Sequence, residues 1–170
     1  MGKRKVGNII QINRYLFWYV LAVLVLGGRF FFVHPVKVEG RSMQPTLSPG
    51  SRAFVLKQGY TIDYGDIVTF TAGERNYIKR VIGLPGDELC FSRNLVTING
   101  KAVSESYLIA YPESADFLGE RTEKNIIIPE NHFFVLGDNR LNSRDSREFG
   151  PIAMEQLTGK LWFAYLLQYF

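Results

Sequence analysis

The sequence predicts a mainly β protein: a single antiparallel β-rich domain carried behind one N-terminal transmembrane helix. Three observations predict it. Residues 15–33 form an apolar run of 19 residues with one charge, Arg29. After Val33, short runs rich in β-branched and aromatic residues alternate with Gly, Pro and Asp turn signals. No stretch beyond the apolar run carries a long helical period.

The apolar run comes first in the chain. As a helix it extends about 28 Å at ~1.5 Å per residue, against a hydrocarbon thickness of about 30 Å. Tyr15, Trp18 and Tyr19 near one end and Phe30 to Phe32 at the other suit the two interfaces, and Arg29 can reach the headgroups along its aliphatic stem. Lys3, Arg4, Lys5 and Arg14 precede the run, which predicts a cytoplasmic segment 1–14, a single span at 15–33 and an extracytoplasmic domain over 34–170. A cleavable leader ending at Val25-Leu26-Gly27 is the alternative. It is disfavoured because apolar character resumes at Phe30-Phe31-Phe32-Val33, where a cleavage region turns polar. The formal charge of +4 comes from this flank: five of the 20 Lys/Arg lie before His34, leaving 15 against all 16 Asp/Glu. The domain itself therefore carries no basic excess, and a nucleic-acid surface is not expected.

Strands are predicted at Arg52–Lys57, Ile67–Thr71 and Tyr77–Ile82, separated by Ser48-Pro49-Gly50, Tyr64-Gly65-Asp66 and Leu84-Pro85-Gly86-Asp87. Leu95–Ile98, Asn99-Gly100 and Lys101–Val103 read as a hairpin, because Asn-Gly accepts the two positive φ angles of a type I′ turn. Further strands are expected at Asn125–Ile128, His132–Leu136 and Gly159–Tyr165, with a short helix or turn over Pro151–Leu157. Residues 104–124 are polar and unpatterned, which suits a surface excursion. The C-terminal 161–170 is apolar but, at ten residues, too short to span as a helix; it is read as a core strand plus a tail, the alternative being that its end dips into the membrane surface. Cys90 is the only cysteine, which excludes an internal disulfide; its strand-like context suggests a small buried hydrophobe. No Cys/His spacing suits a metal, so neither metal nor cofactor is expected.

Two segments carry the chemistry. Ser42 lies in Gly40-Arg41-Ser42-Met43-Gln44-Pro45-Thr46-Leu47, where Pro45 forbids a continuing helix or central strand and implies a rigid turn. A serine hydroxyl is a poor nucleophile until a base takes its proton. Neither histidine supplies that base in any recognisable context: His34 precedes Pro35 beside the apolar run, and His132 opens a strand after Pro129-Glu130-Asn131. Lys79 is the remaining candidate: taken by itself a strand lysine reads as a solvated edge charge, whereas burial would lower its pKa and leave a neutral amine. In Tyr77-Ile78-Lys79-Arg80-Val81-Ile82, a strand puts Lys79 on one face with Tyr77 and Val81, while Arg80 is directed to the other.

Four strings, in order, resemble the conserved boxes of the type I signal peptidases: residues 40–47, Gly65-Asp66-Ile67-Val68-Thr69-Phe70, Tyr77 to Asp87, and Leu136-Gly137-Asp138-Asn139-Arg140-Leu141-Asn142-Ser143-Arg144-Asp145-Ser146-Arg147. The resemblance implies a signal-peptidase-like β domain with Ser42 as nucleophile and Lys79 as general base. It implies that Ser143 hydrogen-bonds the lysine ammonium, and that Asp145 and Arg147 form a supporting ion pair. Met43 and Ile78, flanking the dyad, are expected to line pockets for small substrate residues. Two positions depart from the common pattern: Leu141 stands where many members carry a polar residue, and Gly40 where some carry an oxyanion-binding hydroxyl. The expected partners are secretory preproteins with Ala-x-Ala-like sites, bound as an added strand, together with the lipid bilayer and a link to the export machinery. Ser42 is nine residues past Val33, so at ~3.3 Å per residue it lies within about 30 Å of the outer bilayer face, where such a site emerges. A repressor-type Ser/Lys protease would need a DNA-binding region in place of the span. An anchored assembly module without activity is the other alternative, and Ser42→Ala separates it from an enzyme.

Overall fold

A computed structural model describes residues 14–23, 27–28, 32–92, 95–108 and 124–165. The chain divides into a unit that ends at His34 and a unit that begins at Pro35. In the first, residues 14–23 are helical and exposed along their whole length, with Phe17 and Trp18 in an edge-to-face pair at 5.6 Å. Residues 24–26 and 29–31 of the expected span lie outside the described residues. Among the described residues, no helix is long and apolar enough to cross a membrane. At the end of the expected span, Val33 is already the first residue of a strand.

The second unit is mainly β. The large sheet has seven strands in the order β1-β2-β11-β3-β4-β9-β10. These are β1 (Val33–Lys37), β2 (Arg52–Leu56), β3 (Ile67–Ala72), β4 (Arg75–Gly83), β9 (His132–Leu136), β10 (Ile152–Ala153) and β11 (Leu157–Tyr165). The small sheet has four, β7-β6-β5-β8: β5 (Glu88–Ser92), β6 (Leu95–Ile98), β7 (Lys101–Ala102) and β8 (Lys124–Ile127). The pairings from β2 to β10 in the large sheet, and all those in the small one, are antiparallel. The expected hairpin joins β6 to β7 with Thr97 opposite Ala102 and Ile98 opposite Lys101. Asn99 and Gly100 take φ of 51° and 76°, the left-handed values a type I′ turn requires. Asp87 locks the neighbouring turn: its carboxylate accepts from Tyr64 Oη at 2.8 and 2.9 Å, Asn99 Nδ2 at 2.8 Å and Leu84 N at 2.8 Å.

Period-2 alternation builds the core. Leu89, Phe91 and Val96 of the small sheet pack with Ile82, Ile128, Phe134 and Leu136. A second cluster gathers Val68, Phe70, Val81, Phe133, Val135 and Ile152. Each such side chain contributes roughly 1.5–3 kcal/mol on burial. The same alternation explains a departure from expectation: Leu89 and Phe91 take the inner face of β5, so Cys90 between them is only half-buried. Within Pro151–Leu157, expected as a short helix or turn, β10 is followed by a 3₁₀ turn, Met154–Gln156. A four-residue helix the sequence pattern did not suggest, Ser146–Phe149, begins at Asp145, whose carboxylate caps it by accepting from Arg147 N.

Candidate active site

Strand β4 sits between β3 and β9, with Val68 opposite Lys79 and Leu136 opposite Arg80. The inside position and the pleat together bury Lys79 to 3% exposure, while β9 runs on into the Gly137 loop beside it. Ser42 reaches the same place from the turn after β1. Gly40 enters that turn at φ 80°, a conformation costly for any residue with a side chain. Met43, 1% exposed, anchors the turn in a cluster with Val38, Leu47, Ala53, Ile67 and Ile78, and Leu47 N bonds Met43 O at 2.8 Å. Asn139 N donates to Ser42 O at 2.9 Å, which ties the serine backbone to the loop after β9.

These elements bring Ser42 Oγ to 2.8 Å from Lys79 Nζ, although 37 residues separate them. Nζ also donates to Ile78 O at 2.8 Å and lies 5.6 Å from the Tyr77 ring centroid. Tyr77 is held by Phe70, stacked at 5.5 Å, and by Phe149 at 5.0 Å. Burial pushes the Lys79 pKa down from 10.5 to about 8, against the opposing pull of the Asp145 and Asp138 carboxylates. A lysine in this state can be neutral near physiological pH, and its lone pair can take the proton of the adjacent, half-exposed Ser42 hydroxyl.

The last string supplies the back of the site. Asp145 is fully buried; its carboxylate accepts from Gly137 N at 3.0 Å and pairs with Arg147 at 2.8 and 2.9 Å, the ion pair expected from sequence. Ser143 departs from expectation. Its Oγ is buried with no hydrogen-bond partner among the described residues and packs against Gly137, while Lys79 Nζ is engaged by Ser42 Oγ and Ile78 O. Met43 and Ile78 do come together, but as buried members of one apolar cluster. Leu141 is 64% exposed, so its apolar side chain leaves the interior of the loop unaltered.

Sequence reasoning missed three groups. Arg80 forms a two-pronged pair with Asp138 at 2.8 and 2.7 Å and donates to Gly65 O at 2.8 Å. Arg140 Nε donates to Gly137 O at 3.0 Å. Gly137 itself leaves no room for a Cβ, which would meet Ser143 and sit 2.6 Å from Ser42 O. All three groups lie in the recognised strings, but a partner 58 residues away is invisible without the fold. Asp138 and Asp145 are each committed to an arginine, and among the described residues no group of three or more His, Cys, Asp or Glu is placed to hold a metal ion.

The family model of signal peptidase, peptidase S26, matches residues 11–166. Similar proteins include signal peptidase I of Bacillus caldolyticus, 40% identical over 87% of this chain and 87% of the relative. Signal peptidase I T of Bacillus subtilis is 40% identical over 91% and 87%, and signal peptidase IB of Staphylococcus aureus 36% identical over 84% and 82%. A crystal structure of a signal peptidase I from Enterococcus faecalis superposes with a TM-score of 0.52 at 29% identity, covering 59% of this chain and 96% of the other. The chain therefore belongs to the signal peptidase family, peptidase S26, and is an enzyme of that family.

Proposed function

We propose that this enzyme is a membrane-anchored serine endopeptidase that removes signal peptides from secreted preproteins with a Ser42–Lys79 dyad. The observation that carries the reading is the 2.8 Å approach of Ser42 Oγ to the Nζ of a desolvated lysine. Neutral Lys79 accepts the Ser42 proton as Oγ attacks the peptide carbonyl. The oxyanion is held by backbone N–H groups, including that of Ser42, since Gly40 offers no side-chain donor. Lys79 then returns its proton to the leaving amine, and in the second half-reaction it takes a proton from the water that hydrolyses the acyl-enzyme. During the cycle Ser143 turns its unpartnered hydroxyl toward the lysine ammonium, while the Asp145–Arg147 pair keeps the loop rigid. Met43 and Ile78 form the apolar floor beneath the small substrate residues.

In this reading residues 1–14 are cytoplasmic, 15–33 span the membrane and 34–170 work at its outer face. The aromatic helical residues 14–23 support the anchor. So does a bulge in β11 between Leu161 and Phe163, which leaves consecutive Trp162 and Phe163 57% and 56% exposed, as suits a domain beside a lipid interface. The test is cleavage of a preprotein with an Ala-x-Ala site by detergent-solubilised wild type, Ser42→Ala and Lys79→Ala. Cutting by wild type alone is expected, with each substitution lowering kcat/KM at least ~10³-fold. Cutting by Ser42→Ala at the wild-type rate would sink the dyad.

A further inference from the structure

We propose that Glu105 and Tyr107 are positioning residues of the active site, holding the loop after β9 in register with Ser42 through Arg140 and Arg80. The inference rests on the Ser42–Lys79 reading. Both residues follow β7, outside all four recognised strings.

Glu105 grips Arg140: Nη1 donates to Oε2 at 3.2 Å and Nη2 to Oε1, and the two side chains are 7% and 4% exposed. Tyr107 Oη donates to the same Glu105 Oε1 at 2.9 Å. The Tyr107 ring lies against Arg80, whose guanidinium carbon is 4.1 Å from the ring centroid. Burial, reinforced by the Glu105 charge, raises the phenol pKa, so the hydroxyl stays a donor throughout the working range. The two residues thus bind two arginines at once, one through charge and one through a ring face.

Those arginines hold consecutive residues of the loop. Arg140 Nε bonds Gly137 O, and Arg80 is paired two-pronged with Asp138. The next residue, Asn139, donates its N–H to Ser42 O. Arg80 Nη2 also reaches Thr46 Oγ1 at 3.3 Å, on the nucleophile turn itself. A displacement at Glu105 or Tyr107 therefore passes through one arginine to the backbone that carries Ser42. A buried ion pair is weak evidence for stability, because an apolar pair of equal volume often serves as well. What an apolar pair cannot do is fix a carbonyl and a carboxylate in defined directions, and a catalytic constellation needs its supports within roughly 0.5 Å.

The experiment compares full-length wild type, Tyr107→Phe, Tyr107→Leu, Glu105→Gln and Ser42→Ala in detergent, well below every melting temperature. Cleavage gives kcat and KM; amide exchange is read at Gly137 and Asn139. Tyr107→Leu and Glu105→Gln should lower kcat about tenfold or more with KM within about twofold, and speed exchange at both amides about tenfold. Tyr107→Phe, which keeps the ring on Arg80, should recover most of kcat. If Tyr107→Leu and Glu105→Gln keep wild-type kcat while Ser42→Ala is inactive, the positioning role is overturned and the dyad stands. If Ser42→Ala cuts like wild type, the dyad reading is what fails. Unchanged exchange at Gly137 and Asn139 overturns the positioning role whatever the activity.

Discussion

Replacing Lys79 by Met should make the protein's stability depend less on pH, and the size of the effect follows from the burial of one charge. Lys79 is 3% exposed and its pKa falls from 10.5 to about 8, chiefly through desolvation. At ~1.4 kcal/mol per pKa unit, that fall corresponds to about 3 kcal/mol by which the charged form is worse off in the folded protein than in the unfolded chain. The folded pKa is depressed, so between about 8 and 10.5 the unfolded chain binds more protons and stability rises with pH. Below about pH 8 the full penalty applies; above 10.5 it has vanished. Methionine carries no charge and removes the penalty, but it also removes the bonds to Ser42 Oγ and Ile78 O, each worth about 1 kcal/mol. Lys79→Met should thus be about 1 kcal/mol more stable than wild type at pH 7 and about 2 kcal/mol less stable above pH 10.5. Urea unfolding of the full chain in detergent, at intervals from pH 7 to 11, measures this as a difference between two proteins in which other titrations cancel. A difference that stays flat across that range would refute the reasoning, since it would mean that Lys79 is as well solvated in the folded state as in the unfolded one.

Two further predictions concern activity. In the proposed mechanism Lys79 acts only when neutral, so kcat/KM should climb about tenfold per pH unit below about 8 and level off above it, as a pH–rate profile would reveal. A profile flat from pH 6 to 9 contradicts a lysine base. Gly137→Ala would set a methyl group 2.6 Å from both Ser143 Cβ and Ser42 O. The backbone must shift, costing about 1–3 kcal/mol in unfolding and at least about 10²-fold in kcat. A fully active Gly137→Ala enzyme would show that the Ser42 turn tolerates a loose loop.

The sequence alone determined that the domain is mainly β and offered the dyad candidates. Strand periods, the Asn99-Gly100 turn and the pairing of Tyr77, Lys79 and Val81 on one face are local properties, set by backbone geometry within a few residues. Ser42 and Lys79 stood out because each lies in a string that resembles a conserved box of the type I signal peptidases. What only the tertiary structure decided was partnership across long separations. The sequence pattern marked most of the strands, missing β1 and β10, but not their division into two sheets, since strand order depends on which apolar faces find each other. Arg80 was seen to leave the Lys79 face, yet Asp138, Gly65 and Tyr107 became its partners through three different chain segments. Ser143 bears the expected residue type but turns its hydroxyl to Gly137, because a rotamer answers to packing and not to sequence position. Most of all, the lowered Lys79 pKa belongs to no residue alone. It arises where β3, β4 and the β9 loop close around one amine and remove its water.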